Sequence, residues 1–289
     1  MSALLEIRDL DVTVGGQPVL RGVSLKVEAG SVRGLVGESG AGKTMVGRTV
    51  LGITPGNARI TAGSITFDRR DITRLDERER RPLLGREIAL IPQNPMTALN
   101  PVERIEPQIT DVLRLHLHMS RTVASQRAME LLRQVRLRDP QRVLRQYPHE
   151  LSGGMRQRVL IAIAFACGPK LIIADEPTTA LDVTVQRHIL GLIKELQTRF
   201  GTAILFITHD LGVVSKICDD VSVIHSGRIL ESGSAADIFA RPQHEYTRAL
   251  FAATPRYDRP AELHKPISDD LTRRLWEEAY AYDAAPVRL

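Results

Sequence analysis

The sequence has few cysteines and few aromatic residues. Two cysteines, Cys167 and Cys218, occur in 289 residues, and aromatic residues make up 4% of the chain. Two isolated cysteines lack the paired spacing that disulfide frameworks, zinc sites and iron–sulfur motifs require. The sequence therefore predicts none of these sites.

The sequence also lacks a long apolar run. The longest, residues 159–167, is about half of the ~18 residues needed to cross a bilayer. Residues 1–6 carry no basic stretch followed by an apolar core, so no secretory signal is expected. Together these observations predict a globular protein on the cytosolic side.

Charge of one sign is not concentrated anywhere in the chain. Lys and Arg number 39 against 34 Asp and Glu, which gives a net charge of +5. Acidic and basic residues are interleaved, as in residues 71–80. Such a mixture is typical of solvated surface rather than of a nucleic-acid-binding face.

Apolar periodicity divides the chain into strand-rich, helical and alternating regions. Strands are predicted over 5–14, 23–27, 32–36, 63–68, 88–91, 171–174 and 203–208, with a closing hairpin over 221–230. Helices are predicted over 43–51, 124–138, 152–167, 185–196 and 271–282. Strands that alternate with helices favour a mainly parallel sheet.

A glycine-rich segment between a predicted strand and a predicted helix fits the pattern G-x-x-x-x-G-K-[ST]. Its residues are Gly37, Glu38, Ser39, Gly40, Ala41, Gly42, Lys43 and Thr44. The glycines let backbone N–H groups converge on one anion, and the following helix directs its positive end there. Lys43 is expected to reach the β- and γ-phosphates, and the Thr44 hydroxyl to bind Mg²⁺. An ordinary glycine turn is the alternative.

Two acidic residues, Asp175 and Glu176, end the apolar strand 171–174. Ligands of open α/β folds bind at this carboxyl edge of the sheet. Asp175 is the candidate for holding Mg²⁺ through its water shell, and Glu176 is the candidate for taking a proton from attacking water. Without the phosphate loop, a solvated loop would be the better explanation of this pair.

A third segment, residues 151–158, places two glycines at the start of a helix. Ser152 is a plausible N-cap, which is the structural alternative. A cap requires neither Gly153 nor Gly154, however. A second helix start that can bind an anion suggests that it serves the same phosphate from the opposite side.

With these three segments the sequence resembles a known family, the ATP-binding subunits of ABC transporters. Residues 151–157 resemble the signature motif of that family, Gln93 corresponds to its Q-loop glutamine, and residues 179–182 to its D-loop. His209, directly after the predicted strand 203–208, corresponds to the switch histidine. The resemblance covers roughly residues 4–250.

The resemblance implies an α/β fold of the P-loop NTPase class, the ABC ATPase fold. This fold has a mainly parallel sheet core, an antiparallel β subdomain and an inserted α-helical subdomain. In this chain it implies a nucleotide-binding domain over 1–254, with the helical subdomain at about 94–165. Residues 255–289 are then a C-terminal extension.

The resemblance also implies ATP and Mg²⁺ as ligands and assigns roles to individual residues. Glu176 is expected to polarise water for attack on the γ-phosphate, and His209 to stabilise the developing charge. The expected metal ligands are Thr44, Gln93 and Asp175. The residues expected to contact nucleotide are Gly37, Glu38, Ser39, Gly40, Ala41, Gly42, Lys43, Thr44, Met45, Gln93, Ser152, Gly153, Gly154, Gln157 and Asp182.

Three further segments resemble the oligopeptide, dipeptide and nickel importer subgroup: residues 93–101, 147–155 and 244–250. That resemblance implies two transmembrane permease subunits, a second, non-identical ATPase subunit and a solute-binding protein outside the cell. The two ATPase subunits would associate head to tail. The expected location is peripheral, on the cytoplasmic face of the bacterial inner membrane. The transported solute stays open, since selectivity belongs to the other subunits.

Two positions depart from the family pattern. The family offers an aromatic side chain for stacking adenine where this chain has Val14, so either base selectivity is relaxed or an aromatic side chain comes from elsewhere in the assembly. No cysteine follows Cys218, so the iron–sulfur centre of some subgroup members is not expected. A soluble ABC-type ATPase acting on DNA or the ribosome is the alternative function. It is disfavoured because the chain has one phosphate loop and no heptad tract.

Overall fold

The computed structural model describes residues 3–179, 181–253 and 267–284. In chain order, its strands are β1 (Leu5–Val14), β2 (Gln17–Val27), β3 (Val32–Val36), β4 (Ala58–Phe67), β5 (Arg70–Asp71), β6 (Ile88–Ile91), β7 (Leu171–Asp175), β8 (Ala203–Thr208), β9 (Asp220–His225) and β10 (Arg228–Ser234). Its α-helices are α1 (Lys43–Leu51), α2 (Glu77–Arg80), α3 (Pro95–Ala98), α4 (Ile105–Leu117), α5 (Arg121–Gln134), α6 (Pro140–Arg145), α7 (Gly153–Phe165), α8 (Val183–Phe200), α9 (Leu211–Ile217), α10 (Ala235–Ala240), α11 (Glu245–Ala253) and α12 (Asp269–Ala284). A 3-10 helix spans Pro148–Glu150.

The chain forms two compact units. The first combines Met1–Leu75 with Leu205–Leu289, and the second is Asp76–Ile204. The domain boundaries expected from the resemblance, 1–254 with a helical part at about 94–165, remain a prediction. None of the described helices is both long enough and apolar enough to cross a bilayer.

An antiparallel sheet in the first unit has the strand order β2-β1-β4-β5. The alternation predicted for residues 5–14 is confirmed, with Leu5, Ile7, Leu10 and Val12 all buried. The register shifts between Ile7 and Leu10, where Asp9 takes a positive φ of 44°. Strand β4 begins five residues before the predicted 63–68, because residues 58–62, of which only Ala58 is buried, pair with the end of β1.

A second set of strands in the first unit leads to the phosphate loop. β3 pairs with β9 in parallel, and β9 pairs with β10 in an antiparallel hairpin, as predicted for residues 221–230. The hairpin turn, Ser226 and Gly227, adopts positive φ values of 45° and 76°. The Gly227 N–H donates to the Ala41 carbonyl at 2.9 Å, so the turn lies directly against the phosphate loop.

The second unit joins a parallel strand pair, β6 and β7, to a group of helices. Helices α4, α5 and α7 pack together through their apolar faces. α5 spans 121–134 rather than the predicted 124–138, because Arg136 takes a left-handed conformation (φ 60°) that ends the helix. Leu137, inside the predicted range, is buried beyond the end of the helix.

Helix α12 packs on strand β2 of the first unit. An amphipathic segment over 271–282 is confirmed, with Leu271, Leu275 and Ala279 buried. The guanidinium of Arg21, on β2, donates to both carboxylate oxygens of Asp283 at 2.7 and 2.9 Å. Other parts of the predicted extension, 255–266 and 285–289, lie outside the described residues.

Candidate nucleotide site

The phosphate loop runs from the end of β3 to the start of α1, as its sequence pattern predicts. Gly40 and Gly42 have φ values of 83° and 100°, which L side chains rarely adopt. A Cβ at Gly37 would lie 2.1 Å from the Ile224 carbonyl oxygen. Backbone conformation therefore requires glycine at positions 40 and 42, and close packing requires it at position 37.

Lys43 curls back over the loop that precedes it. It is 5% exposed, and its Nζ donates to the carbonyl oxygens of Gly37 and Glu38 at 2.9 and 2.8 Å. Glu38, Ser39 and Gly40 are exposed. The ammonium group thus lies beside a loop segment that is open to a ligand.

The start of α1 is suited to an anion. Among the described residues, no side chain caps this helix, and no acidic residue lies in its first turn, which includes Thr44 and Met45. A helix N-terminus carries about half a positive charge, which favours phosphate there. Together with Lys43 and the left-handed glycines, this loop fits the triphosphate of a nucleotide.

In the second unit, Glu176 lies directly after β7 and is 9% exposed. Its Oε2 accepts hydrogen bonds from Gln93 Nε2 at 3.0 Å and from Thr179 Oγ1 at 2.9 Å. Glu176 has a φ of 45°, a conformation that costs a non-glycine residue about 1–3 kcal/mol. The surrounding structure therefore holds this carboxylate in one place, and Asp175 ends the strand beside it.

The predicted signature segment forms the exposed start of α7 in the second unit. Ser152 caps the helix, with its Oγ accepting from the Met155 N–H at 3.3 Å. A Cβ at Gly154 would lie 2.9 Å from Val185 Cγ1, whereas one at Gly153 would meet nothing closer than 3.9 Å. Packing within this unit thus explains Gly154 but leaves Gly153 unexplained.

Residues of the predicted D-loop lie against this segment. Asp182 caps α8, and its Oδ1 accepts from the Val185 N–H at 2.9 Å. A Cβ at Gly153 would lie 3.9 Å from Leu181 Cδ2, and Ala180 lies outside the described residues. The second unit therefore brings the signature and D-loop segments together.

Gln157 is placed differently from the other predicted signature residues. It is 1% exposed, and its Nε2 has no hydrogen-bond partner among the described residues. Its side chain is buried, whereas Ser152 and Gly153 are exposed. Gln157 is thus separated from a ligand at the exposed helix start.

His209 belongs to the first unit and lies between β8 and α9. It is exposed, and the next residue, Asp210, caps α9 by accepting from the Gly212 and Val213 N–H groups at 2.8 and 3.2 Å. This cap fixes the backbone after His209 and leaves the imidazole at the surface.

Two contacts made by residues of the predicted segments 179–182 and 244–250 were not predicted. Thr179 donates to Glu176, and the buried Tyr246 donates to Glu38 of the phosphate loop at 3.3 Å. The hydroxyl of Thr179, three residues after Glu176, is a weak signal that could have indicated its hydrogen bond to that carboxylate. No local pattern links Tyr246 to Glu38, since 208 positions separate them.

Two family models match the chain. One, described as ABC transporter, covers residues 20–179. The other, described as the C-terminal region of oligopeptide and dipeptide transporters, covers residues 230–274.

Curated relatives are similar over most of their length. A probable peptide ABC transporter ATP-binding protein of Sinorhizobium fredii is 47% identical over 91% of this chain and 80% of its own. The oligopeptide transport ATP-binding protein OppD of Salmonella typhimurium is 47% identical over 89% and 78%. The dipeptide transport ATP-binding protein DppD of Bacillus subtilis is 43% identical over 89% and 78%.

Solved structures confirm the predicted fold class. A dimeric ATP-binding cassette in a post-hydrolysis state, bound to ADP and Pi, matches with a TM-score of 0.71 and 25% identity. The match covers 80% of this chain and 98% of that one. An ATP-binding subunit of an ABC transporter matches with a TM-score of 0.68 and 29% identity, over 86% and 98%. This chain therefore belongs to the ATP-binding proteins of the ABC transporter family and is an ATPase of that family.

Proposed function

We propose that this ATPase powers the import of peptides or a related small solute through an ABC transporter. The observation that carries the proposal is the presence, in one chain, of the ABC transporter region and the oligopeptide and dipeptide transporter C-terminal region. Relatives whose names specify peptide, oligopeptide or dipeptide transport support the same substrate class.

The phosphate-binding role falls to the loop of the first unit. Lys43 donates from its ammonium group, and the left-handed glycines and the start of α1 supply backbone N–H groups. Thr44 follows in the first turn of the helix, where its hydroxyl would hold Mg²⁺, with Asp175 and Gln93 as further ligands. Bound Mg²⁺ would neutralise charge on the phosphates.

The proton-accepting role falls to Glu176. Its carboxylate is nearly buried and held by two donors, which suits a general base that orients a water molecule. Gln93 donates to this carboxylate, so a movement of the Gln93 side chain would change the hydrogen bonding of the base. His209, exposed between β8 and α9, would stabilise charge that develops on the γ-phosphate.

The signature segment would serve a nucleotide held by a second ATPase subunit in a head-to-tail pair. The support is Gly153, which neither internal packing nor a positive φ requires, and which leaves the capped helix start open to a close approach. Ser152 and Asp182 are exposed beside it. Gln157 is not included in this surface, because it is buried.

The proposed assembly contains two permease subunits, a second and non-identical ATPase subunit and a solute-binding protein. In such an assembly this chain would be peripheral, on the cytoplasmic face of the bacterial inner membrane. Its helices need not enter the bilayer, since the permeases would hold it there.

A gentle pull-down from detergent-solubilised membranes, followed by mass spectrometry of stoichiometric partners, tests the proposal. We expect two multi-spanning proteins and a second ATPase, and a co-purifying solute-binding protein would identify the substrate. Lys43→Ala serves as a control: we expect it to retain these partners but lose hydrolysis. A chain recovered alone, or with ribosomes or DNA, would overturn the transport proposal and leave the ATPase family assignment standing.

A further inference from the structure

Tyr246 connects the C-terminal region of the first unit to the phosphate loop. It lies in the first turn of α11 and is 0% exposed. Its hydroxyl donates to Oε2 of Glu38, the second residue of the loop, at 3.3 Å. A buried tyrosine usually finds a partner for its hydroxyl, and here that partner is an otherwise exposed carboxylate.

Hydrogen bonds at the start of α11 and a ring contact fix the position of Tyr246. Glu231, on β10, accepts from the backbone N–H groups of Gln243 and His244 at 2.7 and 3.0 Å. The Nδ1 of His244 in turn accepts from the Tyr246 N–H at 3.0 Å. The ring of Tyr246 meets the His225 ring edge-on, with 4.7 Å between centroids.

The Tyr246 hydroxyl remains a donor at neutral pH. Burial raises the pKa of Tyr246 well above its ordinary value, and the neighbouring Glu38 carboxylate raises it further. Burial also lowers the pKa of His225, so its ring is neutral at pH 7. The contact with Glu38 is therefore a hydrogen bond from a neutral phenol to a carboxylate.

Glu38 transmits this contact to the phosphate-binding lysine. Its side chain accepts from Tyr246, and its own carbonyl oxygen accepts from Lys43 Nζ at 2.8 Å. Without Tyr246, the exposed Glu38 side chain would gain rotamer freedom, and the loop backbone would lose one restraint.

We infer that Tyr246 is a positioning residue of the phosphate loop, which holds Glu38 and thereby sets the place of Lys43 for nucleotide. This inference rests on the proposed role of the loop in ATP binding. It makes nucleotide affinity depend on the C-terminal region, which is the part of the chain matched by the oligopeptide and dipeptide transporter model.

The test compares Tyr246→Phe, Glu38→Ala and the double variant in the intact chain, by steady-state ATP hydrolysis and fluorescent-nucleotide binding. Loss of a weak hydrogen bond to a carboxylate predicts a KM for ATP about three- to tenfold higher, with kcat nearly unchanged. Because both changes break one contact, the double variant should resemble Glu38→Ala alone. Tyr280→Phe, at a 62% exposed ring of α12, is the matched control and should leave KM unchanged.

Three results would overturn the inference: an unchanged KM in Tyr246→Phe with unchanged thermal unfolding, a loss confined to kcat, or additive effects in the double variant. Should Tyr246→Phe fail to fold, the KM values for ATP of Glu38→Gln and Glu38→Ala test the inference instead. Gln keeps an acceptor for Tyr246 and should retain a lower KM than Ala, and equal values would refute the role. Failure of the unmodified chain to bind ATP would instead refute the proposed function, before any variant is compared.

Discussion

Replacement of Glu176 by Gln separates proton acceptance from the structural role of this side chain. Oε2 of Glu176 accepts from Gln93 and Thr179 at 3.0 and 2.9 Å, and the amide oxygen of a glutamine can accept both bonds. The neutral amide, however, cannot take a proton from water. The variant should therefore fold and bind ATP like the parent chain but turn over slowly.

The expected loss follows from what a general base contributes. Proton transfer by a positioned side chain accelerates a reaction about 10²–10⁴-fold, equivalent to about 3–5 kcal/mol in the barrier. We expect kcat to fall by that factor in a phosphate-release assay, while the Kd for ATP stays within about threefold, below ~1 kcal/mol.

A matched control is Glu130→Gln, which neutralises an exposed carboxylate of α5 that pairs with Arg127 at 2.9 Å. This variant should hydrolyse ATP at the parental rate. Hydrolysis by Glu176→Gln at the parental rate would refute the assignment of the base. A loss of ATP binding equal to the loss of kcat would show instead that Glu176 serves binding rather than proton transfer.

Three further predictions concern single contacts. Thr179→Val removes one of the two donors to Glu176 and should lower kcat about three- to tenfold with an unchanged KM for ATP, whereas a parental kcat would exclude a positioning role. Asp283→Asn leaves the buried Arg21 guanidinium without its carboxylate and should lower the free energy of unfolding by about 2–3 kcal/mol in urea titrations. Asp270→Asn, at an exposed ion pair, should lower the free energy of unfolding by less than ~1 kcal/mol. Equal losses in Asp283→Asn and Asp270→Asn would contradict this reasoning. Relaxed base selectivity at Val14, which offers no ring for stacking adenine, predicts similar KM values for ATP and GTP. Val14→Tyr should then lower the KM for ATP about fivefold or more, and an unchanged KM would refute relaxed selectivity.

Patterns that span a few residues predicted most of the elements in the described part of the chain. The β9–β10 hairpin, the α1 helix after the phosphate loop and the amphipathic α12 were all predicted from apolar spacing. The end of α5 was wrong by four residues, because apolar spacing cannot detect the left-handed Arg136. Periodicity reports which side chains are buried, and Leu137 is buried without being helical.

The sequence by itself determined the family, the phosphate loop and the candidate residues at its strand and helix ends. Each of these depends on glycines, charges or hydroxyls at short, defined spacings, and local backbone geometry follows directly from such spacings. The Gly40 and Gly42 conformations are the clearest example, because only glycine adopts them without strain.

Only the tertiary structure decided which distant side chains meet. Gln93 and Glu176 are 83 positions apart, and Tyr246 and Glu38 are 208 apart, yet each pair shares a hydrogen bond. Such contacts depend on the path of the chain between the two residues, which no local pattern encodes. The same reason explains why burial separates Gln157 from the exposed residues of its own motif, because which side of a helix is covered is decided by the elements packed against it.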